Sequence, residues 1–189
     1  MKKLLKFIIT LLILICIIFI LFKIINIDDI IMKKLYPVKY SEYVEKYARE
    51  YNIDKYMVYA IIKAESNFDE KAKSESNAIG LMQMMETTAI ETANKMKLEI
   101  TEEDLFNPEI NIKIGLKYFT YLVEQYNNNY ALAIVAYNAG IGNVDKWIEN
   151  GTIKPDGTDI ENVPFKETNN YVRKILRDYK IYKELYIQR

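Results

Sequence analysis

The stretch Asp54-Lys55-Tyr56-Met57-Val58-Tyr59-Ala60-Ile61-Ile62-Lys63-Ala64-Glu65-Ser66-Asn67 opens on a good helix N-cap and closes on a polar cluster. An Asp side chain at that point can accept one of the backbone N–H groups that the first turn leaves unpaired. Met57, Ile61 and Ala64 return at three- and four-residue steps, so one face of the segment is apolar. The spacing predicts a helix that begins after Asp54 and carries Glu65 at or near its C-terminus.

A glutamate in that position has two reasons to hold its proton. Partial burial behind Tyr59-Ala60-Ile61-Ile62 disfavours the charged form, and so does the partial negative charge of a helix C-terminus. A carboxylic acid kept protonated near neutral pH is what a general acid for glycosidic cleavage requires. A solvated glutamate paired with Lys63 or Lys71 is the alternative, and the local sequence alone leaves it open.

Upstream, Tyr40, Tyr43, Val44, Tyr47, Ala48 and Tyr51 form another apolar stripe, with Ser41 as the expected N-cap. Residues 26–39, ending in Tyr36-Pro37, read as a stalk, because Pro37 disfavours a helix running through it. The first residues, Met1-Lys2-Lys3-Leu4-Leu5-Lys6, lead into an apolar run from Phe7 to Phe22. With its flanks this approaches the roughly 20 residues a helix needs to cross a bilayer.

A signal-peptide core is the rival for that run, yet no small-residue cleavage site follows it. The first alanine is Ala48, and Ile15 precedes Cys16 where a lipoprotein signal wants a small residue. The expectation is an uncleaved, single-pass transmembrane helix over 1–25 in the cell membrane. Lys2, Lys3 and Lys6 modestly favour an inside N-terminus and an extracytoplasmic domain.

Downstream, residues 66–84 lack periodicity and read as a long loop feeding a helix near Thr87. Asn107-Pro108 is a cap followed by proline at the first helical position. The stripe Ile110, Ile114, Tyr118, Tyr121, Leu122 and Tyr126 then predicts the longest central helix. Asn127-Asn128-Asn129 breaks it, a helix resumes over 131–138, and Gly140 and Gly142 mark a tight junction before 144–148. A polar loop covers 150–162, and beyond Pro164 the residues Val172, Ile175, Leu176, Tyr179, Tyr182 and Leu185 share one helix face. Nothing alternates with period two, so the domain, residues 40–189, is expected to be all-α.

Composition narrows the chemistry. Lys plus Arg equals Asp plus Glu at 26 each, which argues against a nucleic-acid partner. Histidine is absent and the single cysteine lies in the apolar run, so neither a Cys-based metal site nor an imidazole base is available. No metal and no cofactor are expected, and acid/base work falls to carboxylates, Tyr or Lys. The 16 tyrosines sit mostly at helical spacing and read as core and rim residues rather than a sugar-stacking surface.

Across this frame run Glu65-Ser66-x-Phe68, Ser74, Gly80-Leu81-Met82-Gln83, Asn111-Ile112 with Gly115-Leu116 and Tyr118, Ala136-Tyr137-Asn138-Ala139-Gly140, and Glu167-Thr168-x-x-Tyr171-Val172. In order and approximate spacing these resemble the signature segments of soluble-lytic-transglycosylase-like (SLT) enzymes, within the lysozyme-like superfamily. The resemblance covers about residues 45–180. Each segment alone is a weak signal, and their ordered combination is what carries weight.

The resemblance implies a lysozyme-like helical domain that acts on the glycan strands of peptidoglycan. Glu65 would protonate the oxygen joining N-acetylmuramic acid to N-acetylglucosamine, then take the proton of the muramic O6 hydroxyl as that oxygen attacks C1. No water and no second carboxylate are needed for such a closure to a 1,6-anhydro end. Ser74, Gln83 and Tyr137 would hold the sugar and its N-acetyl group, with Gly80, Met82 and Asn138 in the same binding set. Glu167 and Tyr171 would help close the cleft.

Each residue also has a structural role open to it. These are a loop hydroxyl for Ser74, a turn for Gly80, a helix-start cap for Gln83 and a core aromatic for Tyr137. Glu167 could serve as a capping-region acid and Tyr171 as a helix-face ring. The chain departs from the family pattern at Met85-Glu86, where a proline often stands. A hydrolase of the same architecture and a tethered module that binds glycan or scaffolds an envelope complex are the rival functions.

Overall fold

The computed structural model describes residues 2–24 and 27–187, with side chains over 2–16 and 28–187. The chain divides into two compact units, Met1–Pro37 and Val38–Arg189.

The first unit holds α1, Lys2–Ile24, and α2, Ile27–Leu35. Along α1 the described apolar side chains, among them Leu4, Phe7, Leu11 and Ile15, are exposed. Among the described residues no helix is long and apolar enough to cross a membrane. Of the expected span over 1–25, residues 1 and 25 and the side chains from residue 17 onward lie outside the described residues. Within the segment read as a stalk, nine residues are helical. Asp28 and Asp29 sit in the first turn of α2 and Lys33 and Lys34 in the last, the charge order that a helix dipole favours. Asp29 and Lys33 also pair at 3.1 Å, four residues apart. The helix stops before Pro37, as proline demands.

The second unit begins with α3, Ser41–Glu50, and α4, Lys55–Glu65. Ser41 is not the cap of α3. Tyr40 takes that place in a left-handed conformation, φ 55°, with its hydroxyl donating to Glu70 at 3.0 Å. Asp54 does cap α4, accepting from the backbone N–H of Tyr56 at 3.0 Å. Next come two short antiparallel strands, β1, Ala78–Ile79, and β2, Met84–Met85. At two residues each they carry no period-two signal, so the expectation of a purely helical domain missed them.

The remaining helices are α5, Glu86–Lys95; α6, Pro108–Gln125; α7, Tyr130–Ala139; α8, Ile141–Glu149; and α9, Lys166–Ile187. Short 3₁₀ turns at Glu103–Phe106 and Ile160–Asn162 complete the described elements. At 22 residues α9 is longer than the 18 of α6, against expectation. Asn107 caps α6 by accepting from the N–H groups of Glu109 and Ile110.

Helix α7 is the centre. Five successive residues, Leu132 to Ala136, are buried, the mark of a helix covered all round, and it packs against α6, α8 and α9. On α6, Phe119 is fully buried, stacks on Tyr130 at 6.1 Å and meets Tyr137 edge-on at 6.0 Å. A ring so buried contributes about 2 kcal/mol or more to folding.

Helix α4 lies antiparallel along α9. From one end to the other the contacts are the Tyr179 hydroxyl on Asp54 at 2.7 Å, stacked Tyr59 and Tyr182 at 5.7 Å, and Lys63 beside Asp178 at 3.5 Å. The last contact joins Tyr171 to Glu65. The helix pair therefore ends at the candidate acid.

Candidate active site

Glu65 is the final residue of α4 and is half-buried. Burial raises its pKa from 4.5 to about 7, even though the Tyr171 hydroxyl and the Lys174 charge both work the other way. Tyr171 donates its hydroxyl proton to Oε1 of Glu65. Lys174 donates to the carbonyl of Ala64 at 3.3 Å, serving one of the carbonyls that a helix C-terminus leaves unpaired. Three residues apart on α9, Tyr171 and Lys174 share one face and clamp the end of α4 together.

Past Glu65 the chain turns sharply, with Asn67 and Phe68 at positive φ and Phe68 buried against Tyr59 at 6.4 Å between ring centres. The Ser66 hydroxyl is placed to donate to Leu81 O at 2.9 Å, tying the end of α4 to the turn between β1 and β2. That turn hangs on one buried side chain. Asn111 of α6 accepts from Met82 N at 2.8 Å and donates to Ile79 O at 2.9 Å and Leu105 O at 2.8 Å.

Gly80 at φ 75° passes so close that a Cβ there would collide with the Asn111 amide and the Leu105 carbonyl. Gly115 does the same service beneath Met82, whose sulfur would lie 2.6 Å from a Cβ at that point. Gln83, at φ 46°, donates from Nε2 to Ala72 O at 3.2 Å and Gly80 O at 3.0 Å. Tyr137, near the end of α7, closes the wall. Its hydroxyl is 2.7 Å from Met82 O and 3.2 Å from the Met84 sulfur, and burial together with the nearby Glu65 charge holds its pKa well above the usual value.

Glu65, Tyr171 and Tyr137 thus meet at the turn that contains Gly80, Met82 and Gln83. Met82 brings its backbone there, while its side chain is fully buried. Three expected site residues are placed otherwise. The Ser74 hydroxyl accepts from Ala78 N at 3.0 Å within its own turn. Asn138 is exposed and accepts from the Thr168 hydroxyl at 2.6 Å, joining α7 to α9. Glu167 is exposed in the first turn of α9.

Lys174 and Asn111 were absent from the expected site. Lys174 could have been found from its i+3 spacing to Tyr171, and Asn111 from being an amide in an otherwise apolar row of α6. Among the described residues no group of three His, Cys, Asp or Glu side chains is placed to hold a metal ion.

The transglycosylase SLT domain model matches residues 42–160, from α3 to the second 3₁₀ turn. The chain belongs to this family. Over 148 residues the chain is 35% identical to the soluble lytic murein transglycosylase of Salmonella typhimurium, covering 77% of this chain and 23% of that one. It is 36% identical over 117 residues to the membrane-bound lytic murein transglycosylase C of Photorhabdus laumondii, covering 56% of this chain and 32% of that protein. The chain therefore spans about a quarter to a third of the length of these relatives.

Among solved structures, the 70 kDa soluble lytic transglycosylase of Escherichia coli superposes on the SLT domain with a TM-score of 0.75 at 31% identity, over 81% of this chain and 25% of that one. A complex of the 70 kDa enzyme with bulgecin A matches with the same TM-score at 33% identity, over 81% and 25% of the two chains. The lysozyme-like helical fold expected from the sequence is the fold these neighbours share. Tyr171 and Lys174 lie beyond the residues matched by the family model.

Proposed function

We propose that the chain is a membrane-anchored lytic transglycosylase that cuts the MurNAc-β-1,4-GlcNAc bond of peptidoglycan and leaves 1,6-anhydroMurNAc ends. The observation that carries this is Glu65, a half-buried acid raised to about 7 at the end of α4 and held by the Tyr171 hydroxyl, in a chain of the SLT family. A glycosidase that forms a covalent intermediate or activates water normally needs a second carboxylate. An intramolecular attack needs only one group, acid first and base second.

Protonated Glu65 gives its proton to the bridging oxygen as the C1–O bond breaks, and the N-acetylglucosamine leaves with a free hydroxyl. The muramic O6 then bonds to C1, and its proton returns to the Glu65 carboxylate. Tyr171 holds the carboxylate through Oε1, and the turn Gly80–Gln83 with Tyr137 offers backbone and amide groups to the N-acetyl sugar. Ser74, Asn138 and Glu167, exposed along the rim, serve the more distant parts of the strand. Product analysis by mass spectrometry tests the reaction type, because reducing ends without anhydro sugar would make the enzyme a muramidase instead.

The two groups that lower the pKa of Glu65 give a pH prediction. A general acid must start protonated, so activity falls as pH rises through about 7. Tyr171→Phe removes a hydrogen bond to the carboxylate, and Lys174→Met removes a nearby cation. Each disfavours the charged form, so the alkaline limb of kcat/KM moves to higher pH, while Lys174→Arg keeps it near the wild-type position. If the limb stays put in both Tyr171→Phe and Lys174→Met, neither group tunes the acid.

Anchoring is supported by the apolar run of residues 7–22 between lysines, and a substrate in the wall calls for a domain on the cell-wall side of the cell membrane. With α2 helical, the connection advances roughly 1.5 Å per residue there rather than the roughly 3.3 Å of extended chain, which keeps cutting close to the bilayer. Deleting residues 2–25 is expected to move the protein from the membrane pellet to the soluble fraction. A truncated chain that still pellets after a high-pH wash rules out the anchor.

A further inference from the structure

Among the described residues Asp178 is the only buried acid, and the proposed reaction gives it no part. On the inner face of α9 its Oδ2 accepts from the Lys63 ammonium of α4 at 3.5 Å, and its Oδ1 from the Arg177 guanidinium at 2.9 and 3.0 Å. A buried ion pair is a weak stabiliser, since apolar residues of similar volume usually do as well or better. What charges add over apolar contacts is direction, as in the polar groups that fix the register of coiled coils.

The register that this pair holds is the one that builds the site. Lys63, Ala64 and Glu65 at the end of α4 meet Asp178, Lys174 and Tyr171 of α9 in reverse order. The three α9 residues stand at i, i+3 and i+7, on one face of the helix. Beside them Val172 and Ile175 are buried apolar contacts, which are undirected and survive a small slide. The contact at Glu65 does not. One residue's rise, about 1.5 Å, takes the Tyr171 hydroxyl out of hydrogen-bond reach of Oε1.

We propose that Asp178 is a positioning residue: by holding Lys63 it fixes α9 on α4 in the register that keeps the Tyr171 hydroxyl and the Lys174 ammonium at Glu65. This rests on the reading of Glu65 as the murein-cutting acid. Glu65 is faced by Tyr171 and Lys174 from α9 and by Tyr137 from α7, and Asp178 by Lys63 from α4 and Arg177 from its own helix. Tyr171 and Lys174 favour the ionised form of Glu65. Losing the register weakens both, so the acid keeps its proton to higher pH. Losing the Asp178 charge acts directly in the opposite direction, because removing an anion makes ionisation nearby easier. The sign of the change therefore tells positioning from plain electrostatics.

The test is the alkaline limb of kcat/KM for the full chain on murein glycan. Asp178→Leu keeps most of the volume and none of the acceptors. It is expected to move the limb up by roughly half a pH unit, less than the roughly one to three that a nearby opposite charge can command. Lys63→Arg preserves the pair and leaves the limb at the wild-type position. In the Tyr171→Phe, Lys174→Met background, Asp178→Leu adds no further shift, because the groups it positions are gone. The pair Lys63→Met, Asp178→Leu leaves no lone buried charge, melts near wild type and still shows the raised limb, so it decides the matter where Asp178→Leu alone does not fold. A limb that is unmoved or lowered in Asp178→Leu overturns the proposal, as does a wild-type limb in the folded apolar pair or a full shift in the double background. Activity that survives Glu65→Gln defeats the reading of the acid, whereas an inactive Glu65→Gln with an unmoved limb in Asp178→Leu defeats only the positioning role. A wild-type chain that cuts no glycan removes both.

Discussion

Replacing Glu65 by Gln is expected to slow glycan cleavage by about three orders of magnitude, the middle of the range for a single acid/base group. The same side chain serves both halves of the proposed reaction, and glutamine can neither give the proton nor take it back. The variant is expected to fold and to melt higher than wild type above pH 7. In the folded protein Glu65 binds its proton more tightly than a free carboxyl, with a pKa of about 7 against 4.5. The stability this gives is complete below 4.5 and is lost as pH rises through 7. Across that interval of 7 minus 4.5, at roughly 1.4 kcal/mol per unit, ionisation costs the folded state up to about 3 kcal/mol. Glutamine avoids that cost and keeps an oxygen for Tyr171. Glycan turnover and a melting curve at pH 8 on the same sample separate the two effects. A variant that is both folded and active removes Glu65 from the chemistry, and one that melts lower shows that the burial has been misjudged.

What could be read in advance follows the range of the interactions involved. The starts of α4 and α6 were legible because Asp54 and Asn107 cap through N–H groups two or three residues away. The inner face of α9 was legible from its own spacing. Tyr40 as a left-handed cap was not, because Ser41 is the better local candidate and a tertiary contact to Glu70 decides the matter. Helix α2 was not expected beside Pro37, although its acidic first turn and basic last turn suit the helix dipole. In the site, the partial burial of Glu65 at a helix end was legible from the sequence, whereas the groups that hold its carboxylate were less so. Its partners, Tyr171 and Lys174, arrive from more than a hundred residues away, through the docking of α9. The motif residue Met82 looks like a side-chain contact in sequence, yet in the fold its side chain fills the core and its backbone lines the turn, while the Ser74 hydroxyl also holds its own turn.

Asn111→Ala is expected to be among the most damaging single changes in the domain, costing about 3 to 5 kcal/mol. The truncation strands three buried backbone groups, the N–H of Met82 and the carbonyls of Ile79 and Leu105, and each stranded group costs roughly 1–3 kcal/mol. Partial collapse around the missing amide keeps the total below the simple sum. A domain of ordinary stability holds only about 5–15 kcal/mol, so the melting temperature is expected to fall by roughly 10 °C. Activity is expected to fall further than stability, even at temperatures where the variant is folded, because the turn that Asn111 suspends positions the Met82 carbonyl against Tyr137. Asn111→Asp separates volume from hydrogen bonding. It keeps the shape and the acceptor for Met82, but turns carboxylate oxygen toward two carbonyls where the amide donated, so near neutral pH it is expected to be as unstable as the alanine variant. Protonation restores one donor, so at low pH it is expected to recover relative to alanine. Thermal unfolding of the three proteins across pH decides the point. An aspartate variant that matches wild type near neutral pH, or an alanine variant within about 1 kcal/mol of wild type, would show that the turn is held by something other than Asn111.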